Sequence, residues 1–172
     1  MMNIIDAAEK SQMYATEAWK KIRAYFENTD ISKMPQLSKM PEIRWKKFGF
    51  HVAGRCYYKD DYIEMNINYL NSPDAEKFVK NTTIHELAHS VAYRIFQSPG
   101  HDYYWKHIAM IMGDDGNRCH DYAQPANCKR KQYNCTCGAT IDLSPLQVKR
   151  AKLGKYVCST CKKNLKSMFV ER

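Results

Sequence analysis

From residue 5 to residue 27 apolar side chains recur at helical spacing, at Ile5, Ala8, Ala15, Trp19, Ile22 and Phe26. That period predicts an amphipathic helix with one face against a core. The segment ISKMPQLSKMPE, with Pro35 and Pro41, loses the period and reads as a connector. Beyond it the period becomes two. FGFHVAGRCYY and DYIEMNINY flank the polar turn Lys59-Asp60-Asp61, and Ile63, Met65 and Ile67 alternate with Glu64, Asn66 and Asn68. This predicts a β-hairpin with His51 and Cys56 in its first strand. Ser72-Pro73-Asp74 has the composition of a helix start, and Ser98-Pro99-Gly100 of a stop after about Phe96. A further helix is expected from about His101, with Trp105, Ile108 and Met112 on one side and Gly113 at its end. The predicted class is α+β, a helical domain with a small hairpin sheet.

Composition adds a boundary. Residues 1–122 hold 16 Lys/Arg and 16 Asp/Glu, whereas residues 123–172 hold 11 Lys/Arg against Asp142 and Glu171. The net charge of +9 therefore belongs to the last fifty residues, and the expected domains are 1–122 and 123–172. Segregated positive charge points to a polyanionic partner. Hydrophobic content of 44% supports a real core. No apolar run approaches the roughly 20 residues of a membrane span, and the start MMNIIDAAEKSQ lacks signal-peptide features. An intracellular, cytoplasmic protein without a membrane partner is expected.

Within the long predicted helix lies TTIHELAHSVAY. Residues four apart on a helix differ by about 40° of rotation, so His85 and His89 share a face and can bind one zinc ion. Glu86, about 100° from His85, is placed to reach a water there without readily becoming a ligand. Catalytic zinc needs a third ligand and an open position. His101 is the best candidate, since the Ser98-Pro99-Gly100 break lets the chain turn back; His107 and His120 are alternatives.

HELAH followed by GHDYYWK resembles the SprT-like metalloprotease family, which includes the Spartan proteases of DNA–protein crosslink repair. His85, Glu86 and His89 match its H-E-x-x-H, Gly100 and His101 its third-ligand segment, and Trp105-Lys106 the end of that segment. Asp102 stands where the family usually has glycine. AGRCYY and RCHDY at 118–122 are also similar to family segments. The resemblance implies a zinc endopeptidase in which the metal acidifies water and polarises a peptide carbonyl while Glu86 acts as general base. Tyr93, Tyr103 and His120 are candidate oxyanion donors.

YNCTCGA and YVCSTCKK place Cys135 and Cys137 twenty residues before Cys158 and Cys161, close to a zinc-ribbon spacing. Four thiolates would form a closed structural site that helps a small unit fold. Similar paired cysteines occur in SprT-like proteins. Cys128 is a substitute ligand, and Cys56 and Cys119 are spare thiols. Lys129, Arg130 and Lys131 precede the ribbon; Lys149, Arg150, Lys152 and Lys155 lie within it; Lys162, Lys163 and Lys166 follow the last pair. Tyr133 and Tyr156 stand among them as candidate base-stacking rings. The combined expectation is two zinc ions, one catalytic and one structural, in a protease that cuts proteins bound or crosslinked to DNA. The DNA would be single-stranded or bound without sequence preference, and the protein nucleoid-associated, or nuclear in a eukaryote. The competing readings are a non-enzymatic nucleic-acid-binding zinc-ribbon protein and a DNA-independent peptidase.

Overall fold

The computed structural model describes residues 1–49, 51–119, 122 and 130–169. The chain divides into two compact units, Met1–Pro125 and Ala126–Arg172. The class is α+β.

In the first unit α1 spans Ile4–Thr29, capped by the Asn3 side chain, which accepts from the Asp6 N–H. Its buried stripe is Ala7, Ser11, Ala15, Ala18, Trp19, Ile22 and Phe26. Ile5 and Ala8, expected in that stripe, are exposed because the buried face of the first turns runs through Ala7 and Ser11 instead. The supposed connector, residues 31–42, contains the 3-10 helix Ile31–Leu37 and runs at its end into a strand, β1, Glu42–Lys46. Strands β2, Gly54–Tyr57, and β3, Tyr62–Asn66, form the expected hairpin, and β1 joins β3 in parallel to give the order β1-β3-β2. His51 lies in the turn before β2, outside the strand.

The polar members of the β3 alternation are buried as well. Asn66 Nδ2 donates to the carbonyls of Gly49 at 3.2 Å and Val52 at 2.7 Å, while its Oδ1 accepts from the Phe48 and Asn68 N–H groups. Asn68 Nδ2 donates to the Phe48 carbonyl at 2.6 Å. These amides satisfy loop backbone groups that would otherwise be desolvated without partners. They thereby fix the run of chain leading into β2.

Helix α2 spans Ala75–Phe96. Asp74 is its N-cap rather than Ser72, whose hydroxyl instead accepts from the Asp74 N–H. Gln97, in the left-handed conformation, ends the helix and turns the chain. Helix α3, Tyr103–Met112, begins two residues after His101, with Asp102 as its N-cap accepting from the Tyr104 and Trp105 N–H groups. Gly113, at φ +101°, closes it as expected. Phe78, Leu87 and Val91 of α2 pack with Trp105, Ile108 and Met112 of α3, Ile22 of α1, and Ile63 and Met65 of β3 in one core.

In the second unit β4, Lys131–Asn134, pairs antiparallel with β5, Thr140–Leu143. Helix α4, Pro145–Lys152, starts at a reciprocal cap between Ser144 and Gln147. Leu143, Ala151 and Leu165 pack against Cys135 and Cys158 in a small separate core. Among the described residues no helix is long and apolar enough to cross a membrane.

Candidate metal centres

His85 and His89 sit one turn apart on α2, and the reversal after Gln97 brings His101 back to them. The Nε2 atom of His101 lies 3.0 Å from that of His85 and 3.1 Å from that of His89. Zinc–nitrogen bonds of about 2.0–2.1 Å at tetrahedral angles place ligand nitrogens about 3.3 Å apart. The three imidazoles therefore converge with the spacing of three corners of a zinc tetrahedron. Trp105 backs all three, with ring centroids 4.7, 5.3 and 4.4 Å from His85, His89 and His101. Burial, together with neighbouring His85 and His101, pushes His89 down to about 3, so it stays neutral, the form that binds metal. His101 is also lowered, by burial and then by the charge of Arg118.

His107 is elsewhere: its Nε2 is 3.1 Å from the Tyr25 hydroxyl, and Tyr103 stacks on its ring. His120 lies outside the described residues. Two contacts hold the loop that carries His101. The Tyr58 hydroxyl donates to the Pro99 carbonyl at 2.6 Å, and the Ser98 hydroxyl donates to Asp102 Oδ1 at 2.6 Å. Asp102 thus anchors the loop and caps α3 at once.

The cluster opens onto a cleft of about 1010 Å³ edged by residues 51–58 and reached by Lys77, Asp114 and Arg118. Glu86 also lines it, and its carboxyl is buried; desolvation pushes it up to about 8. A desolvated carboxyl sharing a cleft with converging imidazoles is a feature of proton-transfer sites. Tyr93 and Tyr103 do not line the cleft: Tyr93 stacks on Tyr58, and Tyr103 is 75% exposed beside His107. Gly54, Tyr58 and Arg118 are the site residues that the pattern of the chain did not single out. AGRCYY and RCHDY contained them without giving them roles.

In the second unit Sγ of Cys135 is 3.7 Å from that of Cys161, and Sγ of Cys137 is 3.9 Å from that of Cys158. Zinc–sulfur bonds of about 2.3 Å predict about 3.8 Å between tetrahedral sulfurs, whereas a disulfide needs about 2.05 Å. All four ligand atoms lie within 4.8 Å of one another. The two cysteine pairs sit in similar turns of different length. The Cys135 N–H donates to the Ala139 carbonyl and that of Cys158 to the Lys163 carbonyl, each at 2.8 Å. The first turn is one residue shorter, and Gly138, at φ +87°, makes its reversal possible. N–H groups of Cys161, and then Thr160, help hold the Cys158 thiol down to about 6. Cys128 lies outside the described residues. Cys56 is half-buried and Cys119 exposed, and neither is a member of this cluster. Tyr133 and Tyr156 are half-buried against the small core; Tyr156 accepts from Gln147 Nε2 and Tyr133 meets Phe169 edge-on.

A sequence profile of the SprT-like family matches residues 20–125. This chain belongs to the SprT-like family. Protein SprT of Pseudomonas putida is 30% identical over 133 residues, covering 73% of this chain and 79% of the relative. That of Pseudomonas fluorescens is 30% identical over 135 residues, covering 74% and 80%. That of Pseudomonas paraeruginosa is 31% identical over 121 residues, covering 66% and 72%. No solved structure gives a significant match. The SprT-like match contains His85, Glu86, His89 and His101, while the cysteine cluster lies beyond it.

Proposed function

We propose that this SprT-like protein is a zinc-dependent endopeptidase acting on proteins bound or crosslinked to DNA. The observation that carries the reading is the buried Glu86 carboxyl in the same open cleft as three converging imidazoles. Zinc held by His85, His89 and His101 would supply an acidified water and polarise a peptide carbonyl. Glu86 accepts the proton from the attacking water and returns it to the departing amine nitrogen. Trp105 holds the imidazoles in place and keeps water from their inner side. Strand β2, paired only with β3 among the described residues, offers its free backbone edge to an extended substrate along the cleft. A purely structural metal site would be closed and would have no use for a desolvated carboxyl beside it.

The proposed division of labour follows the charge. Residues 1–122 form the peptidase domain, and residues 123–172 form a basic ribbon in which Cys135, Cys137, Cys158 and Cys161 hold structural zinc. The ribbon binds DNA phosphates without sequence preference, placing the protein with the intracellular DNA. Half-burial of Tyr133 and Tyr156 leaves the lysines and arginines as its main contacts.

The test is cleavage of a DNA-binding protein by the zinc-loaded full chain, with and without single-stranded DNA, beside Glu86→Gln. Cleavage that requires both DNA and Glu86 supports the proposal. Equal cleavage without DNA makes the protein a DNA-independent peptidase, and no cleavage under either condition overturns the enzyme reading.

A further inference from the structure

The outer face of the three-stranded sheet carries chemistry that neither metal centre uses. Across β1, β3 and β2 the rows on this face are Glu42–Tyr62–Tyr57 and Arg44–Glu64–Arg55. The Tyr57 and Tyr62 rings stack with centroids 4.5 Å apart and planes 19° apart. The Arg44 guanidinium lies 3.8 Å over the Tyr62 ring, and that of Arg55 lies 4.7 Å over the Phe48 ring. Arg44, Lys46, Lys47 and Arg55 are all exposed.

The two carboxylates here are already engaged. Glu42 pairs with Arg44 at 2.7 Å, and the buried Glu64 pairs with Lys46 at 3.3 Å. Among the described residues Lys47 and Arg55 have no ion-pair partner, so the face keeps an excess of positive charge. That excess is local, because the charges of residues 1–122 cancel overall.

A guanidinium lying flat on an aromatic ring is preorganised. Arg55, without an ion-pair partner among the described residues, can offer its N–H edge to a phosphate oxygen, whereas Arg44 spends part of its edge on Glu42. The two arginines stand on the strands flanking the central one, a backbone separation of about 10 Å that suits two or three nucleotides. A duplex would present phosphates while hiding its base faces, so the stacked rings would gain nothing from it. We propose that this face is a second binding site, for single-stranded nucleic acid, separate from the basic ribbon. The site rests on the DNA-directed reading given above and extends it to the unit that carries the cleft. Because β2 contributes Gly54 to the Glu86 side and Arg55 and Tyr57 both to this face and to the rim of the cleft, a strand bound here runs beside the cleft.

The test is ultraviolet crosslinking of short oligothymidylate to the zinc-loaded full chain, with the adducts mapped by mass spectrometry. Adducts are expected within residues 44–62 as well as in the ribbon. The variant Arg44→Gln/Arg55→Gln changes only exposed side chains; it should lose the sheet adducts and bind the oligonucleotide about fivefold or more weakly, with zinc content unchanged. Adducts confined to residues 126–172, with wild-type affinity in the variant, overturn the sheet site and leave the DNA reading standing. Absence of oligonucleotide binding by the wild-type chain overturns both. If a polyglutamate peptide binds in a manner dependent on Arg44 and Arg55 while no nucleic-acid adduct forms there, the face serves an acidic protein segment and the proposal fails.

Discussion

Gly54 and Glu86 are packed so closely that position 54 has no room for a side chain. A Cβ there would lie 2.8 Å from Glu86 Cγ, 2.9 Å from Glu86 Oε1 and 2.7 Å from Thr82 Cγ2. The close approach of β2 to α2 is what desolvates the carboxyl, so the chemistry of Glu86 depends on a missing methyl group in another element.

Gly54→Ala must therefore displace either the strand or Glu86. The expected result is a stability loss of about 1–3 kcal/mol, the usual range for overpacking. Peptidase activity should fall by about tenfold or more while zinc at the three histidines is retained. Denaturant unfolding, turnover and elemental analysis measure the three quantities; activity at the wild-type level would show that Glu86 tolerates displacement.

The burial of Glu86 also has a stability cost with a definite sign. Its folded-state pKa, about 8, lies above its ordinary value of 4.5, so the metal-free folded chain holds a proton that the unfolded chain releases. The favourable contribution is complete below pH 4.5 and is lost as pH rises through about 8. His89, lowered to about 3, acts oppositely below its unfolded value of 6.5, so the effect of Glu86 is seen most clearly from there to pH 8. Metal-free Glu86→Gln should be more stable than metal-free wild type at pH 8, by on the order of 3 kcal/mol, with the gap closing towards pH 5. Urea unfolding across that range checks it. A gap that does not change with pH would mean that the carboxyl is hydrated.

Removing metal should affect the two units differently. The first unit has an extended apolar core, whereas among the described residues the second fully buries only Leu143, Ala151 and Leu165 beside two of its cysteines. Strong chelation, or Cys158→Ser, should unfold residues 130–169 and leave the first unit intact, because metal affinity at such a site is folding free energy. Mild chelation should strip the open histidine site first. Hydrogen exchange resolved by segment distinguishes these outcomes; uniform protection after complete zinc loss would contradict them.

The sequence pattern revealed α2, α3, the hairpin and the residues that converge at both candidate metal centres, because these follow from local period and ligand spacing. It concealed β1: Glu42–Lys46 becomes a strand by pairing with β3, each residue with a partner twenty positions further along the chain. The buried Asn66 and Asn68 looked like the wet side of an alternation, because their partners are backbone groups of a loop whose path no period describes. Gln97 carries no helix-stop signature of its own, yet it makes the turn attributed to Ser98-Pro99-Gly100. Gly54 was equally silent, since its importance lies in what approaches it.

The proposed third ligand, His101, offers the sharpest test of how the site is held. His101 lies on a loop, outside both helices, and is positioned through its neighbours: Tyr58 holds Pro99, and Ser98 holds Asp102. Tyr58→Phe removes one hydrogen bond and keeps the ring that stacks on Tyr93. A net loss of about 0.5–1.5 kcal/mol is expected for such a bond. If that bond is what keeps His101 turned inward, zinc affinity at the histidine site should fall by about threefold to tenfold. His101→Ala should weaken it far more. Asp102→Gly, which restores the usual family residue, should lower helix stability by only about a few tenths of a kcal/mol, since glycine is itself a tolerated N-cap. Its effect on zinc should be smaller than that of Tyr58→Phe, because the Pro99 anchor remains. Competition against a chelator, with the cysteine-bound zinc as an internal reference, ranks the three variants. Should Asp102→Gly prove the more damaging of the first two, the anchor of His101 is the α3 cap and not the tyrosine.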